Sequence, residues 1–233
     1  MKFNLFSALI ALTFIVLAFF ACSSDSTDKP NIHGATDIGS QLYVGFSEQL
    51  LEQCNGSDAP EACVLDYINN HPVPYTGSGV LKELISEHPG EVGSKIIDTV
   101  KVGTVTNGRV NLDLYTPNED KHMLYDLMLY NSVNELVGRL ILGNFKSTNE
   151  DTYAWYVYSL KDEEYKDADE VPDSYGIIRI DDYEWKEGWN IYYYHNKNES
   201  IGGQRIHTIT KTTSPRVLSG GELRWYLFDP DIH

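Results

Sequence analysis

Basic residues are scarce in this sequence. Lys and Arg number 18 against 34 Asp and Glu, a net charge of −16. A surface that acidic repels phosphate backbones, and no cluster of Lys or Arg offsets it, so nucleic acid is excluded as a partner. Cysteine is nearly absent as well, with only Cys22, Cys54 and Cys63. That rules out paired Cys-x-x-Cys zinc units and a miniprotein built on disulfides alone. The common catalytic signatures are missing too. Gly77-Ser78-Gly79 lacks the spacing of a nucleophile elbow, and there is no His-Glu-x-x-His, Walker loop or dinucleotide fingerprint. His33, His71, His88, His122, His195, His207 and His233 are scattered. Only His195 and His207 fall where cross-strand pairing could join them. No catalytic residue, resident metal or cofactor is therefore expected.

Apolar residues make up 42% and aromatics 12% of the 233 residues, enough for a globular chain with a real core. One domain or two small ones would fit that length. No repeat of fixed period is visible.

Long apolar runs occur once. Lys2 precedes the stretch from Leu5 to Phe20, and Ala21-Cys22-Ser23 follows it. A positive start, an apolar middle and a small residue at the break mark a secretory signal. With a cysteine directly after Ala21, the segment resembles the signals of bacterial lipoproteins, although Phe19 and Phe20 stand where that family has Leu and a small residue. The resemblance implies cleavage before Cys22, acylation of its thiol and anchorage in the cell envelope. Ser23 in place of Asp implies outer-membrane sorting. An uncleaved membrane anchor is the alternative, since the run could just span a bilayer. Residues 1–21 are thus expected as signal and 22–39, rich in Ser, Asp and Thr, as a flexible tether. Loss of Lys2 leaves 17 basic against 34 acidic groups, a net −17. Such a chain would meet anionic lipid through its acyl chains and not through a basic face.

With Cys22 lipidated, Cys54 and Cys63 remain as an even pair in an oxidising compartment, which favours a disulfide; two packed free thiols are the other reading. Tyr43, Phe46, Leu50 and Leu51 have helical spacing over 42–53. Asp58, Pro60 and Glu61 open a second helix that His71-Pro72 must end. Ser78 with Leu81, Leu84 and Ile85 suggests a third. Residues 40–92 are therefore expected as a small helical section. From 93 to 233 the period falls to two. Asn107-Gly108 signals a type I′ hairpin, with Val110, Leu112 and Leu114 alternating behind it. A helix over 120–131 is expected, then strands over 136–145, 152–160, 175–180, 189–195, 205–213 and 223–228.

Three patterns carry a further resemblance. Gly103-Thr104-Val105-Thr106-Asn107-Gly108, Lys186-Glu187-Gly188-Trp189-Asn190 and Leu223-Arg224-Trp225-Tyr226-Leu227-Phe228 resemble a hairpin, a turn and a closing strand of uncharacterised exported bacterial lipoproteins, over residues 100–228. That implies a compartment and a β fold, not an activity. The expected class is mainly β with a small α section (α+β), an antiparallel β-sandwich of Ig-like or transthyretin-like type behind two or three short helices.

Candidate chemistry is thin. Asp167, Asp169 and Asp173 could bring hard oxygens to one Ca²⁺, but the run lacks the glycine and distal Glu of an EF-hand loop, so a solvated loop is the simpler reading. Asp181, Asp182 and Glu184 would serve a glycoside hydrolase only as a pair across a cleft. Aromatics are the abundant feature. Trp189, Tyr192, Tyr193 and Tyr194 are candidates for contact with a glycan or a partner protein, because both faces of a Tyr-Tyr-Tyr strand are aromatic. Core filling is the plainer alternative. The expected function is a non-enzymatic, lipid-anchored envelope protein making protein contacts, with glycan binding as the alternative. The native product should begin at Cys22 with fatty-acyl mass on it; mass spectrometry finding Met1 at the terminus would remove the anchor.

Overall fold

The computed structural model describes residues 32–33, 40–57, 60–87, 95–147, 149–218 and 222–229. The signal, Cys22 and most of the expected tether lie outside them. Within that tether, β1 (Ile32–His33) pairs in parallel with Trp189 and Asn190. No helix among the described residues is long and apolar enough to cross a membrane.

The first body segment is β2 (Leu42–Val44), followed by α1 (Glu48–Cys54). The single helix expected over 42–53 is thus shorter than its apolar spacing suggested. Leu42, Tyr43 and Val44 pair with β14 (Arg224–Phe228), and that ladder outweighs local periodicity. Ser47 caps α1, its Oγ accepting from the Leu50 N–H at 3.3 Å. The second helix, α2 (Pro60–Asn70), starts at the expected proline and stops before His71-Pro72. A Cys54–Cys63 disulfide ties α1 to α2.

The third expected helix is a strand, β3 (Gly79–Ser86). Leu81 and Glu83 point inward at 0% and 3% exposure, because β3 is paired on both edges, to β4 (Ile96–Thr106) and to β7 (Leu127–Tyr130). The helix expected over 120–131 is likewise absent. Its place is taken by β6 (His122–Met123) and β7, where Leu127 and Leu129 alternate into the core. Both corrections have one cause. Leucines three and four apart satisfy a helix pattern, but a strand with neighbours on both sides buries them as well.

The expected hairpin forms, and the six strands expected from residue 136 onward are all present with shifted ends; an additional strand, Glu163–Ala168, takes the place of the expected solvated loop. β4 turns at Asn107 (φ 50°) and Gly108 (φ 73°) into β5 (Arg109–Leu112), the two positive angles of a type I′ turn. There follow β8 (Leu136–Ser147), β9 (Glu150–Ser159), β10 (Glu163–Ala168), β11 (Ile177–Trp185), β12 (Gly188–Ile201) and β13 (Gln204–Thr212). The ladders join all fourteen strands in one mainly antiparallel sheet, with a path β10-β11-β13-β12-β9-β8-β7-β3-β4-β5. The mainly β class with few helices is as expected, and the ladders do not separate into the two sheets of the expected Ig-like or transthyretin-like sandwich. The sheet's continuity comes from β8, which pairs with β7 through Leu136–Leu140 and with β9 through Leu142–Ser147. β8 also pairs with β14. Gln41 bridges Arg109, turning the free side of β2 toward β5.

Two apolar clusters result. The larger holds Leu81, Val102, Leu129, Leu142, Tyr156, Trp189, Ile191, Tyr193 and Trp225. The smaller lies beneath the helices: Leu50, Cys54, Val64 and Ile68 pack on Phe145 and Tyr226. The hairpin tip is docked into this body. Leu42 N–H donates to the Gly108 carbonyl and Gly108 N–H to Gly77 (2.8 Å each). A Cβ on Gly108 would fall 1.7 Å from the Tyr75 carbonyl oxygen, whereas one on Gly202 (φ 61°) meets nothing within 4 Å. Gly202→Ala should therefore cost about 1 kcal/mol, and Gly108→Ala roughly 3 kcal/mol or more, in urea unfolding.

Candidate functional site

Strand alternation sorts the aromatics. On β12, Trp189 (2% exposed) and Tyr193 (0%) face the core, so these two expected contact residues are structural. The Trp189 indole N–H donates to the Tyr115 carbonyl at 2.9 Å. Tyr192 and Tyr194 face the opposite side, half-buried. There they meet β9, where Tyr192 lies opposite Trp155 and Tyr194 opposite Tyr153.

The row continues beyond these two strands. β13 ends at Thr212, and past its end Tyr183 and Trp185 of β11 reach Tyr192 directly, with ring centroids 5.9 and 6.1 Å away. Tyr165 of β10 stacks on Tyr183 at 5.9 Å and Tyr153 on Trp155 at 6.0 Å. Planes of neighbouring rings from Tyr165 to Tyr192 lie within 14° to 28° of each other. At the β8 end the row passes under the helices: Phe145 touches Tyr153 and is only 3% exposed. The disulfide-tied helices therefore cover one end of this sheet face, and the remainder carries a row of rings set among polar groups.

Those polar groups sit at alternate positions on the same strands. The Tyr183 hydroxyl donates to Asp181 at 3.1 Å, and Asn196 Nδ2 donates to Asp151 at 2.8 Å. Burial, with the adjacent Tyr192 and Asp181, drives the Tyr183 phenol far above its ordinary value. Burial pushes Tyr192 and Tyr153 up to about 12. All three phenols stay neutral hydrogen-bond donors at physiological pH. Burial also raises Asp151.

The other expected candidates do not converge. Asp181 faces the rings, whereas Asp182 and Glu184 lie on the reverse side near Lys166 (3.7 Å) and Lys186 (2.9 Å), so these carboxylates cannot flank one bond. Asp173 takes the Tyr175 and Ile177 backbone N–H groups and the Arg179 guanidinium. Asp169 takes the Arg179 N–H, and Asp167 accepts from the Tyr165 hydroxyl at 3.5 Å. Their oxygens close a turn and do not form a cage. Among the described residues no group of three or more His, Cys, Asp or Glu could hold a metal. His195 lies opposite Thr210 and His207 opposite Asn198, so those imidazoles do not pair; His195 Nδ1 is 2.9 Å from Thr152 Oγ1.

One cluster escaped sequence reasoning. The side chain of Glu83 is 4% exposed and sits against His122 Nε2 at 2.8 Å, while His122 Nδ1 is 2.7 Å from Glu119. The Tyr115 hydroxyl donates to the other Glu83 oxygen at 2.9 Å. With a carboxylate on each ring nitrogen, the protonated imidazole donates from both, which favours that form. The Glu83 hydrogen bond, then Glu119, raises its pKa against a desolvation cost. No local pattern announces the cluster, because its members come from β3 and from the connection between β5 and β7.

No protein family, curated protein or solved structure matches this chain.

A His whose folded pKa lies above 6.5 contributes stability that is fully present below its unfolded pKa and is lost as pH rises through the folded value. The denaturation midpoint should therefore fall on the alkaline side of pH 6.5. His122→Ala, which leaves Glu83 buried without its cation, should cost about 3 kcal/mol at acidic pH and flatten that dependence.

Proposed function

We propose that this chain is a non-enzymatic, lipid-anchored cell-envelope protein, held at the outer membrane through Cys22, that binds a neutral carbohydrate chain along the aromatic face. One observation carries the binding reading: the row Tyr165, Tyr183, Tyr192, Trp155 and Tyr194, half-buried to exposed, interleaved with Asp181, Asp151 and Asn196. Sugar rings offer C–H faces for stacking and hydroxyls at their edges, and flat rings beside hydrogen-bonding side chains complement both. A purely protein-binding core would be depleted of such carboxylates. The net charge of −16 disfavours uronate or sulfated chains, which leaves neutral polysaccharide as the complementary class. Export through a lipoprotein-type signal would place such a face among envelope and environmental glycans. The Cys54–Cys63 disulfide is compatible with that compartment.

A protein partner is the second reading, favoured by β10, an edge strand whose six residues are all exposed. Such an edge can accept an added strand, although the charges on Glu164, Lys166 and Asp167 oppose it.

The test is retention on immobilised neutral polysaccharides (β-glucan, mannan, xylan) against alginate and pectate. Neutral chains should retain the protein and quench its Trp fluorescence. Trp155→Ala or Tyr192→Ala should weaken retention about tenfold, the scale of one or two lost stacking contacts, without lowering the melting temperature by more than a few degrees. Retention on alginate alone, or on none, would reject the proposal.

A further inference from the structure

β8 changes partners part-way along its length. Leu140 pairs with Leu127 of β7, and Leu142 pairs with Ala154 of β9. At this junction the structure has a cavity of about 180 Å³, lined by Leu127, Leu140, Leu142, Ala154 and Tyr156 of the core and by Trp155 of the aromatic row. Tyr156 stacks on the buried Trp225, their planes 9° apart, so one wall is part of the core itself. The cavity thus reaches from the ring row toward the core, between strands that have parted.

Its walls are largely apolar, but Arg139 also lines it. The Arg139 guanidinium is partly spoken for: Nη2 lies 3.3 Å from Asp126 and donates to the Tyr125 carbonyl at 3.4 Å. Its Nε–H is different. Among the described residues, Nε is the only buried side-chain nitrogen or oxygen without a hydrogen-bond partner. A buried donor without an acceptor is costly, and native structures rarely leave one so. Asp126 already balances the arginine charge, so a carboxylate ligand would meet an anion beside its cation. The acceptor that fits is therefore neutral.

We infer that this cavity is a subsite for a short acyl group carried by the carbohydrate. The acyl methyl sits among the aliphatic walls, the carbonyl oxygen accepts from Arg139 Nε–H, and the sugar bearing it stacks on Trp155. An apolar cavity of about 150 Å³ stays dry and takes a molecule the size of benzene, so the space suffices for an acetyl group. A bare sugar unit pushed into it would strand its hydroxyls against leucine. The inference rests on the carbohydrate reading and names its ligand class, an acylated neutral glycan. Acetyl esters and N-acetyl amides present the same methyl and carbonyl.

The experiment is calorimetric titration with two matched pairs of ligands. One pair is O-acetylated glucomannan oligosaccharides and the same sample deacetylated with alkali; the other is chitopentaose and cellopentaose. The parent should bind the acetylated member of at least one pair roughly tenfold tighter, the effect of one buried methyl and one hydrogen bond. Preference in the first pair alone identifies an ester, and in the second alone an amide. Arg139→Met keeps the stem and removes the donor. It should cut the preference to two- or threefold while leaving affinity for the bare chain at the parent level. Tyr192→Ala should weaken both members alike and keep the parent ratio. Binding by the parent without preference in either pair, or a full preference retained in Arg139→Met, would overturn the subsite and leave the carbohydrate reading standing. If the parent binds none of the four ligands, both fall together.

Discussion

The antiparallel register between β9 and β12 is the constraint on which the rest of this structure depends. It runs from Gly188 opposite Ser159 to Lys197 opposite Glu150. Because side chains alternate along a strand, that one register sends Trp189, Ile191 and Tyr193 into the core with Ala154 and Tyr156, and it sends Tyr192 and Tyr194 outward with Tyr153 and Trp155. A slip by one residue would exchange the two sets. It would bring Tyr153, Tyr192 and Tyr194 into the core in exchange for Tyr156 and Tyr193, and would leave Ile191 and Trp189 in water. The direction in which the aromatic face points thus follows from the same register that packs the core.

A sheet face this apolar is covered in two different ways. At the β8 end, α1 and α2 lie across Phe145, Tyr226 and Phe228 and exclude solvent by ordinary apolar packing. Beside the row, Trp185 of β11 lies under a single charged side chain, Lys121. A buried carboxylate at Glu83 is a costly group, and it is stabilised only because His122 and Tyr115 both donate to it. Apolar residues of similar volume would stabilise the fold at least as well. What the ionic version adds is position, since its directional hydrogen bonds determine where the following turn and Lys121 must lie. The rings from Tyr194 to Tyr165 stay half-buried to exposed.

The edge of the sheet shows the same economy. β10 alternates Tyr165 and Asp167 on the aromatic side with Glu164 and Lys166 on the reverse. Lys166 pairs there with Glu164 and with Asp182 of β11, and Glu184 with Lys186 just past β11; these charges keep that side wet, which protects an exposed edge from pairing with other chains.

Much of this was legible in the sequence. Asn107-Gly108 determined the hairpin because few other dipeptides tolerate two positive φ angles. Pro60 and His71-Pro72 bounded α2 for equally local reasons, and two cysteines nine residues apart could close a short loop. The alternating stretches after residue 136 identified the strands. That some tyrosine of Tyr192-Tyr193-Tyr194 must face outward followed from alternation alone. That Tyr192 and Tyr194 do so and Tyr193 does not depended on the partner strand, and only the tertiary structure decided it. The same holds for β3 and for β6 and β7, whose leucine spacings read as helix until neighbours on both edges claimed them. The Glu83–His122–Glu119 clamp and the cover of Lys121 over Trp185 were invisible for the same physical reason. Local sequence sets backbone preference and the periodicity of burial, but contacts between residues tens of positions apart exist only once strand register has brought them together.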